Sequence, residues 1–284
     1  MIQKSYSSRK EGTLYVVPTP IGNKDDITLR AIETLKKVDF ICAEDTRTSS
    51  ILLKMLGVSK PLKACHIFNE AKIKDKIVKE LLDGKSAALI SDQGTPLLSD
   101  PGYELVNAAI DKGINIVSLP GPSALLPALN MSGIEANKFL FYGFLNSKAS
   151  LAKKELESLK NIEFTIVFYE APHRLASTLK LMLDIFSDRK ISISREISKI
   201  HEEVFRGKIS EAIDYYTEPK GEIVIVVEKY IKEDLNIDKI LDEIQLEIKK
   251  GLSNKDAVKL ISKKYGVSKN LLYNKNEEKR KWNW

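Results

Sequence analysis

The chain has 284 residues, 43% hydrophobic and 30% charged, which is enough apolar material for a core and too much for a disordered protein. No apolar run approaches the roughly 20 residues of a membrane span, the first residues carry no apolar signal segment, and Cys42 and Cys65 alone make neither a disulfide framework nor a zinc site, so a cytoplasmic protein with no membrane contact and no metal is expected. The net charge of +6 is uneven, because residues 249–284 hold 11 Lys or Arg against 3 Asp or Glu; such a tail favours a polyanionic partner, although a solvated lysine-rich helix has the same composition.

Strand-length apolar runs at Leu14–Val17, Val38–Ala43, Leu62–Ile67, Ala87–Ile90 and Ile114–Leu119 alternate with stretches of helical spacing at Thr28–Lys37, Thr46–Leu56, Lys72–Leu82 and Gly102–Asp111. Strands separated by single helices imply crossover connections, hence a mostly parallel sheet covered on both faces. A second series follows: Phe139–Phe144, a helix from Ala149, Phe164–Tyr169, a helix over Pro172–Phe186, Ile191–Ser194, a short strand near Val204, a helix over Ile209–Tyr215 and Ile223–Val227. Beyond Lys232 only helical patterning remains: Leu241, Ile244 and Ile248 share one face, and Ser253–Lys264 and Lys269–Asn276 flank a turn at Tyr265–Ser268, with Ser253 and Ser268 as N-caps. That spacing suits a helix-turn-helix and equally a plain helical hairpin. The expected fold is α/β: two αβα domains over 1–135 and 136–231, the first sheet mostly parallel and the second mixed, with a small all-helical extension over 232–284.

Several familiar sites are excluded by position. No two glycines stand two residues apart, which removes the Gly-x-Gly-x-x-Gly loop, and Lys79 stands where a P-loop ending in Gly84-Lys85-Ser86 needs its first glycine. Prolines concentrate instead in three loops that follow expected parallel strands: Pro18–Asn23, Asp92–Gly102 and Pro120–Ala124. Ligands of open α/β sheets bind outside the carboxyl ends of the strands, and such loops make stiff walls there. They also suit tight turns, with Pro101 and Pro122 opening the next helices. Polar clusters lie at three further strand ends: Glu44–Arg47, Tyr169–Arg174, and Arg195-Glu196 with Lys199 and His201–Glu203. Each residue singly is also explained by helix capping or local ion pairing.

Pro18–Asn23, Glu44–Arg47, Ser91–Pro96 running into Ser99–Gly102, Pro120–Ala124, Phe168–Arg174 and Arg195-Glu196 with Lys199 together resemble the ribosomal-RNA-modifying branch of the tetrapyrrole methylase superfamily. The resemblance runs in order over residues 13–228. It implies two αβα domains, usually in a homodimer, with S-adenosylmethionine in the cleft between them and the ribose 2′-hydroxyl of a cytidine in the decoding region of 16S ribosomal RNA, or of the small ribosomal subunit, as acceptor. Carried over by motif, cofactor contacts fall on Asp92, Gly94, Thr95, Ser123, Ala124, Tyr169 and Glu170. Glu170, Glu196 and Lys199 are the candidates for proton handling or alkoxide stabilisation, and Arg47, His173, Arg174 and Arg195 for substrate contacts. Tetrapyrrole-modifying members carry Gly-Asp-Pro where this chain has Ser91-Asp92-Gln93, which argues against a porphyrinoid acceptor. A small-molecule methyltransferase and a ligand-sensing DNA-binding regulator are the alternatives.

Overall fold

The computed structural model describes residue 3 and residues 12–231, 237–265 and 267–282. The chain forms two compact units, Met1–Tyr230 and Ile231–Trp284. Among the described residues no helix is long and apolar enough to cross a membrane.

The first sheet comprises β1 (Thr13–Val16), β2 (Phe40–Ala43), β3 (Leu62–Ala64), β4 (Ala87–Ile90) and β5 (Asn115–Ser118). Their order is β3-β2-β4-β1-β5, and every pair is parallel. Strict alternation of side chains sends Phe40, Cys42, Ala87 and Leu89 to one face and Ile41, Ala43, Ala88 and Ile90 to the other. Each face needs a cover. Helices α1 (Leu29–Lys37) and α2 (Thr46–Met55) bring Ala31, Leu35 and Leu53 to one; α3 (Glu70–Leu82) and α4 (Tyr103–Asp111) bring Ile77, Leu81, Leu105 and Ala109 to the other. Thr28 caps α1 by accepting the Ala31 N–H at 3.1 Å, and Asp45 caps α2 by accepting the Arg47 N–H at 2.8 Å.

The second sheet has the order β6-β7-β10-β8-β9, from β6 (Phe139–Phe144), β7 (Thr165–Glu170), β8 (Lys190–Arg195), β9 (Glu203–Lys208) and β10 (Ile223–Val227). Only β6 and β7 are parallel; β7–β10, β10–β8 and β8–β9 are antiparallel. Helices α6 (Ala149–Leu159), α7 (Leu175–Phe186) and α8 (Ile209–Tyr215) cover one face. The opposite face is covered by α5 (Leu125–Ser132), whose Ala128 and Leu129 pack on Val167, Val224 and Val226. Thus a helix that follows the first sheet in the chain serves the second.

The elements differ from expectation at a few ends. β3 stops at Ala64, not Ile67, because Asn69 pulls the chain into a turn: its carboxamide accepts the His66 N–H at 2.8 Å and donates to Ala64 O at 3.1 Å. Residues Pro172–Arg174 form a separate 3₁₀ turn ahead of α7. Pro101 and Pro122 do not open helices, since α4 begins at Tyr103 after its N-cap Gly102 and α5 at Leu125 after its N-cap Ala124.

In the second unit α9 (Ile237–Lys249), α10 (Asn254–Tyr265) and α11 (Lys269–Trp282) share a core of Ile240, Leu241, Ile244, Ala257, Val258, Ile261 and Leu272. Ser253 caps α10 by accepting the Asp256 N–H at 3.1 Å. Buried Asn276 bridges the three helices through Gln245 at 2.7 Å and Asn254 at 2.9 Å. α11 runs beyond the expected Asn276, and the expected turn glycine, Gly266, lies outside the described residues.

Candidate active site

The three proline loops meet at the carboxyl edge of the first sheet. Thr19 and Gly94 exchange two backbone hydrogen bonds at 2.9 and 3.0 Å, the buried Thr19 hydroxyl donates to Ser91 O at 3.1 Å, and the Thr95 hydroxyl donates to Pro122 O at 2.9 Å. Gly94 has φ +78°, and a Cβ there would lie 3.3 Å from Ile21 Cγ2, so the backbone conformation favours glycine and the space beside it is filled. Strands supply rigid anchors and the prolines stiffen what hangs from them.

Facing these loops is the β7 end of the second sheet. Between them lies a cavity of about 490 Å³ lined by Ile21, Glu44, Asp92–Thr95, Leu98–Asp100, Ser123 and Ala124 on one side, and by Phe144, Tyr169–Pro172, Ile197 and Gly221–Val224 on the other. All seven expected cofactor residues, Asp92, Gly94, Thr95, Ser123, Ala124, Tyr169 and Glu170, line this one space. Glu44, Asp92, Asp100, Glu170 and Glu222 contribute carboxyl groups, and no Lys, Arg or His lines it among the described residues.

The electrostatics follow from that crowding. Burial, the charge of Glu44 and then that of Asp92 push the Asp100 carboxyl up to about 6, against the pull of a hydrogen bond from Ser91. Glu44 is raised by burial and by Asp92. The Tyr169 phenol is raised chiefly by burial; it is hydrogen-bonded to Ser123, and its ring makes edge contacts with Phe141 and Phe144 at 4.9 and 5.6 Å between centroids. An anionic floor beside an aromatic wall suits a ligand that carries positive charge on an otherwise apolar or aromatic body.

The proton-handling candidates are placed differently. Glu170 borders the cavity but is buried: its carboxylate accepts from Thr178 Oγ1 at 2.5 Å and the Ala171 N–H at 2.8 Å, with Arg174 Nε at 3.3 Å. Glu196 and Lys199 do not line it. Lys199 Nζ pairs with Glu196 at 2.9 Å and Glu222 at 3.1 Å, and Glu196 accepts the Glu222 N–H at 3.0 Å. Gly221, at φ +86°, lets the chain pass so close that a Cβ would lie 2.4 Å from the Glu196 carboxyl carbon. This cluster therefore holds Gly221 and Glu222, which are wall residues.

The four expected substrate contacts do not converge on the cavity either. Arg47, with its side chain 89% exposed, forks onto Asp45 through Nε at 3.2 Å and Nη2 at 2.8 Å. This holds the Asp45 carboxyl down at about 2. Arg174 donates to Leu145 O and Asn146 O at 2.9 and 3.0 Å, Arg195 binds Glu203 at 3.1 Å and Lys220 O at 3.2 Å, and His173 is exposed within the 3₁₀ turn. Arg47 and Arg174 keep the nearby partners Asp45 and Glu170, while Arg174 and Arg195 also bind carbonyls remote in the chain. Sequence reasoning assigned no role to Asp100, Glu44 or the start of β10. The first two stand inside quoted motifs at strand ends. Gly221–Val224 reach the site only because β10 runs antiparallel to β7, pairing Ile223 with Glu170, and no local signal carries strand direction.

The chain, two α/β sheets with a cleft walled by strand-end loops, belongs to the tetrapyrrole (corrin/porphyrin) methylase family, whose profile matches residues 13–213. Within that class it is 43% identical to ribosomal RNA small subunit methyltransferase I of Bacillus subtilis (strain 168), over 95% of this chain and 96% of the relative. The protein of the same name from Mesorhizobium japonicum is 43% identical over 93% of this chain and 90% of its own length. Among solved structures, the methyltransferase CobJ superposes with a TM-score of 0.59 at 17% identity, covering 77% of this chain and 94% of its own. Uroporphyrin-III C-methyltransferase from Thermus thermophilus, in complex with S-adenosylhomocysteine, gives 0.57 at 18%, covering 76% and 97%.

Proposed function

We propose that the chain transfers the methyl group of S-adenosylmethionine to the ribose 2′-hydroxyl of a cytidine in the decoding region of 16S ribosomal RNA. The observation that carries this reading is the convergence of the seven expected cofactor residues on one acidic, aromatic-walled cavity. When bound, the cofactor supplies an electrophilic methyl group on a cationic sulfur. Asp92 and Glu44 set up a negative field that favours a cation, the Gly94 and Thr95 backbone and the Ser123 and Tyr169 hydroxyls offer polar contacts, and Ile21, Phe144, Ile197 and Val224 give apolar surface. Exclusion of water from such a space strengthens each of these interactions.

The choice of acceptor rests on the relatives at 40–43% identity, which carry the ribosomal RNA name; the solved neighbours at 17–18% share the fold alone. Ser91-Asp92-Gln93 supports the same choice. In this reading residues 1–135 and 136–231 form the cleft, and 232–284 contact the RNA. Glu196 and Lys199 hold the wall at Gly221-Glu222, Glu170 anchors the end of β7 beside the cofactor, Arg174 and Arg195 orient loops, and exposed Arg47 and His173 face the RNA. The resemblance supports a homodimer, and a ribosomal substrate supports a cytoplasmic enzyme.

Mass mapping of 16S RNA from cells with and without this protein tests the reading. A single ribose methylation is expected to vanish without the protein and to return when purified small subunits are treated with enzyme and S-adenosylmethionine. Methyl transfer to porphyrinoid precursors and none to subunits would overturn it.

A further inference from the structure

A ribose hydroxyl must lose its proton as the methyl group arrives, and a positioned carboxylate near its working pH is a suitable acceptor. Four of the five carboxylates of the cavity are held by a cation or a backbone N–H. Glu170 is closed off by Thr178, Ala171 and Arg174, and Glu222 is paired with Lys199. Asp92 Oδ1 accepts the Asp45 N–H at 3.1 Å, and Glu44 is hydrogen-bonded by the Asp92 backbone. Asp100 meets only the Ser91 hydroxyl among the described residues.

The loop that carries it is strained. Leu97 at φ +72° and Ser99 at φ +73° both take the left-handed conformation without being glycine. Such residues are strained, and they cluster at functional sites.

We propose that Asp100 is the proton acceptor for the substrate hydroxyl, an inference that rests on the reading of a hydroxyl acceptor given above. Asp100 takes the O–H proton while the oxygen forms its bond to the methyl carbon and the methyl–sulfur pair stays on sulfur. The products are an ether, a neutral thioether and a carboxylic acid, so one positive and one negative charge disappear together. The titratable groups facing Asp100 are Glu44 from the end of β2, Asp92 from the end of β4 and Tyr169 from the end of β7. The two carboxylates, with burial, raise its pKa to about 6 and make it a stronger base than an exposed aspartate.

The test uses the full-length protein with Asp100→Asn, Asp100→Glu and Glu44→Gln. Calorimetry with S-adenosylhomocysteine reads the cavity independently of turnover, and Asp100→Asn is expected to bind within about threefold of wild type. Its single-turnover rate on small ribosomal subunits should fall by roughly 10² to 10⁴, the range for loss of a general base. The acidic limb of the pH–rate profile should disappear with it, and Asp100→Glu should restore part of the rate. Glu44→Gln should keep the limb and move it to lower pH, because one of the charges that raises Asp100 is gone. Carboxyl NMR on the free protein should find the group near pH 6 in wild type and absent in Asp100→Asn. A parallel loss of S-adenosylhomocysteine affinity would make Asp100 a cofactor contact and overturn the proposal. So would a retained limb at near wild-type rate, or a limb that vanishes in Glu44→Gln instead. Wild-type enzyme that methylates no subunit RNA but still binds S-adenosylhomocysteine would remove the hydroxyl acceptor itself, a failure of the functional reading that the binding data separate from a misassigned base.

Discussion

Single residues in this cleft do work that their type alone does not announce. Gly94 combines φ +78° with a filled space at Ile21. Gly94→Val places a β-branched residue in a left-handed conformation, which costs about 1–2 kcal/mol, and crowds Ile21, a residue of the cavity wall. Loss of S-adenosylhomocysteine affinity by at least tenfold is expected from calorimetry on the folded variant, and unchanged affinity would displace the cofactor from this loop. Asp100 makes a second prediction, through stability. Its folded pKa of about 6 lies above the ordinary aspartate value of 3.8, so between those values the folded state holds more protons than the unfolded one, and stability falls as pH rises through that window. Above about pH 6 the penalty is complete and constant. Asp100→Asn has no such penalty, so its stability relative to wild type should increase between about pH 4 and 6 and then level off, as read by urea denaturation across pH 4–8. A difference that stays flat across this range would mean the carboxyl is not raised.

Among the elements, α10 is the most exposed to a functional test. Ala257, Val258 and Ile261 are spent inside the three-helix core, while Lys255, Lys259 and Lys263 recur every fourth residue on the solvent side with no ion pair among the described residues. A row of free cations on one helical face is suited to a phosphate backbone. Replacing all three by alanine, a better helix former, leaves the helix intact. RNA affinity is expected to fall and the slope of log affinity against log salt to shrink by roughly two to three units, with cofactor affinity unchanged. An unaltered salt slope would show that the RNA does not lie on α10. Lys264 is a poorer target, because it is paired with Glu243 at 2.7 Å and its loss would act on the fold.

At the scale of the molecule, chemistry and charge are separated along the chain. The cavity belongs wholly to the unit ending at Tyr230, and the basic tail has its own core, in which Leu241 and Ile244 are buried against α10 and α11. That seam is therefore satisfied within the tail. Ending the chain after Ile231 should leave a folded protein with native S-adenosylhomocysteine affinity, weaker binding to small subunits and a shallower salt dependence. A truncated chain that loses its cooperative thermal transition would assign the tail a structural part instead. A truncated chain with full affinity and an unchanged slope would take the RNA contact elsewhere.

The sequence by itself determined the strands, most of the helices, the two sheets and the loops that wall the cleft, because side-chain periodicity and proline or glycine chemistry act over a few residues. The residues that the family resemblance puts at the cofactor sit in strand-end motifs, and all of them line the cavity. Only the tertiary structure decided which of the charged candidates are free. Arg174, Arg195, Glu196 and Lys199 occur in the same kind of motif as Asp92 and Thr95, yet they are consumed by partners up to 29 residues away. It also decided that α5 serves the second sheet, and that β10, by running antiparallel, brings Gly221–Val224 to the site. Pairing, strand direction and the crowding that raises Asp100 are set by distances between groups remote in the chain, and a local pattern carries no record of those distances.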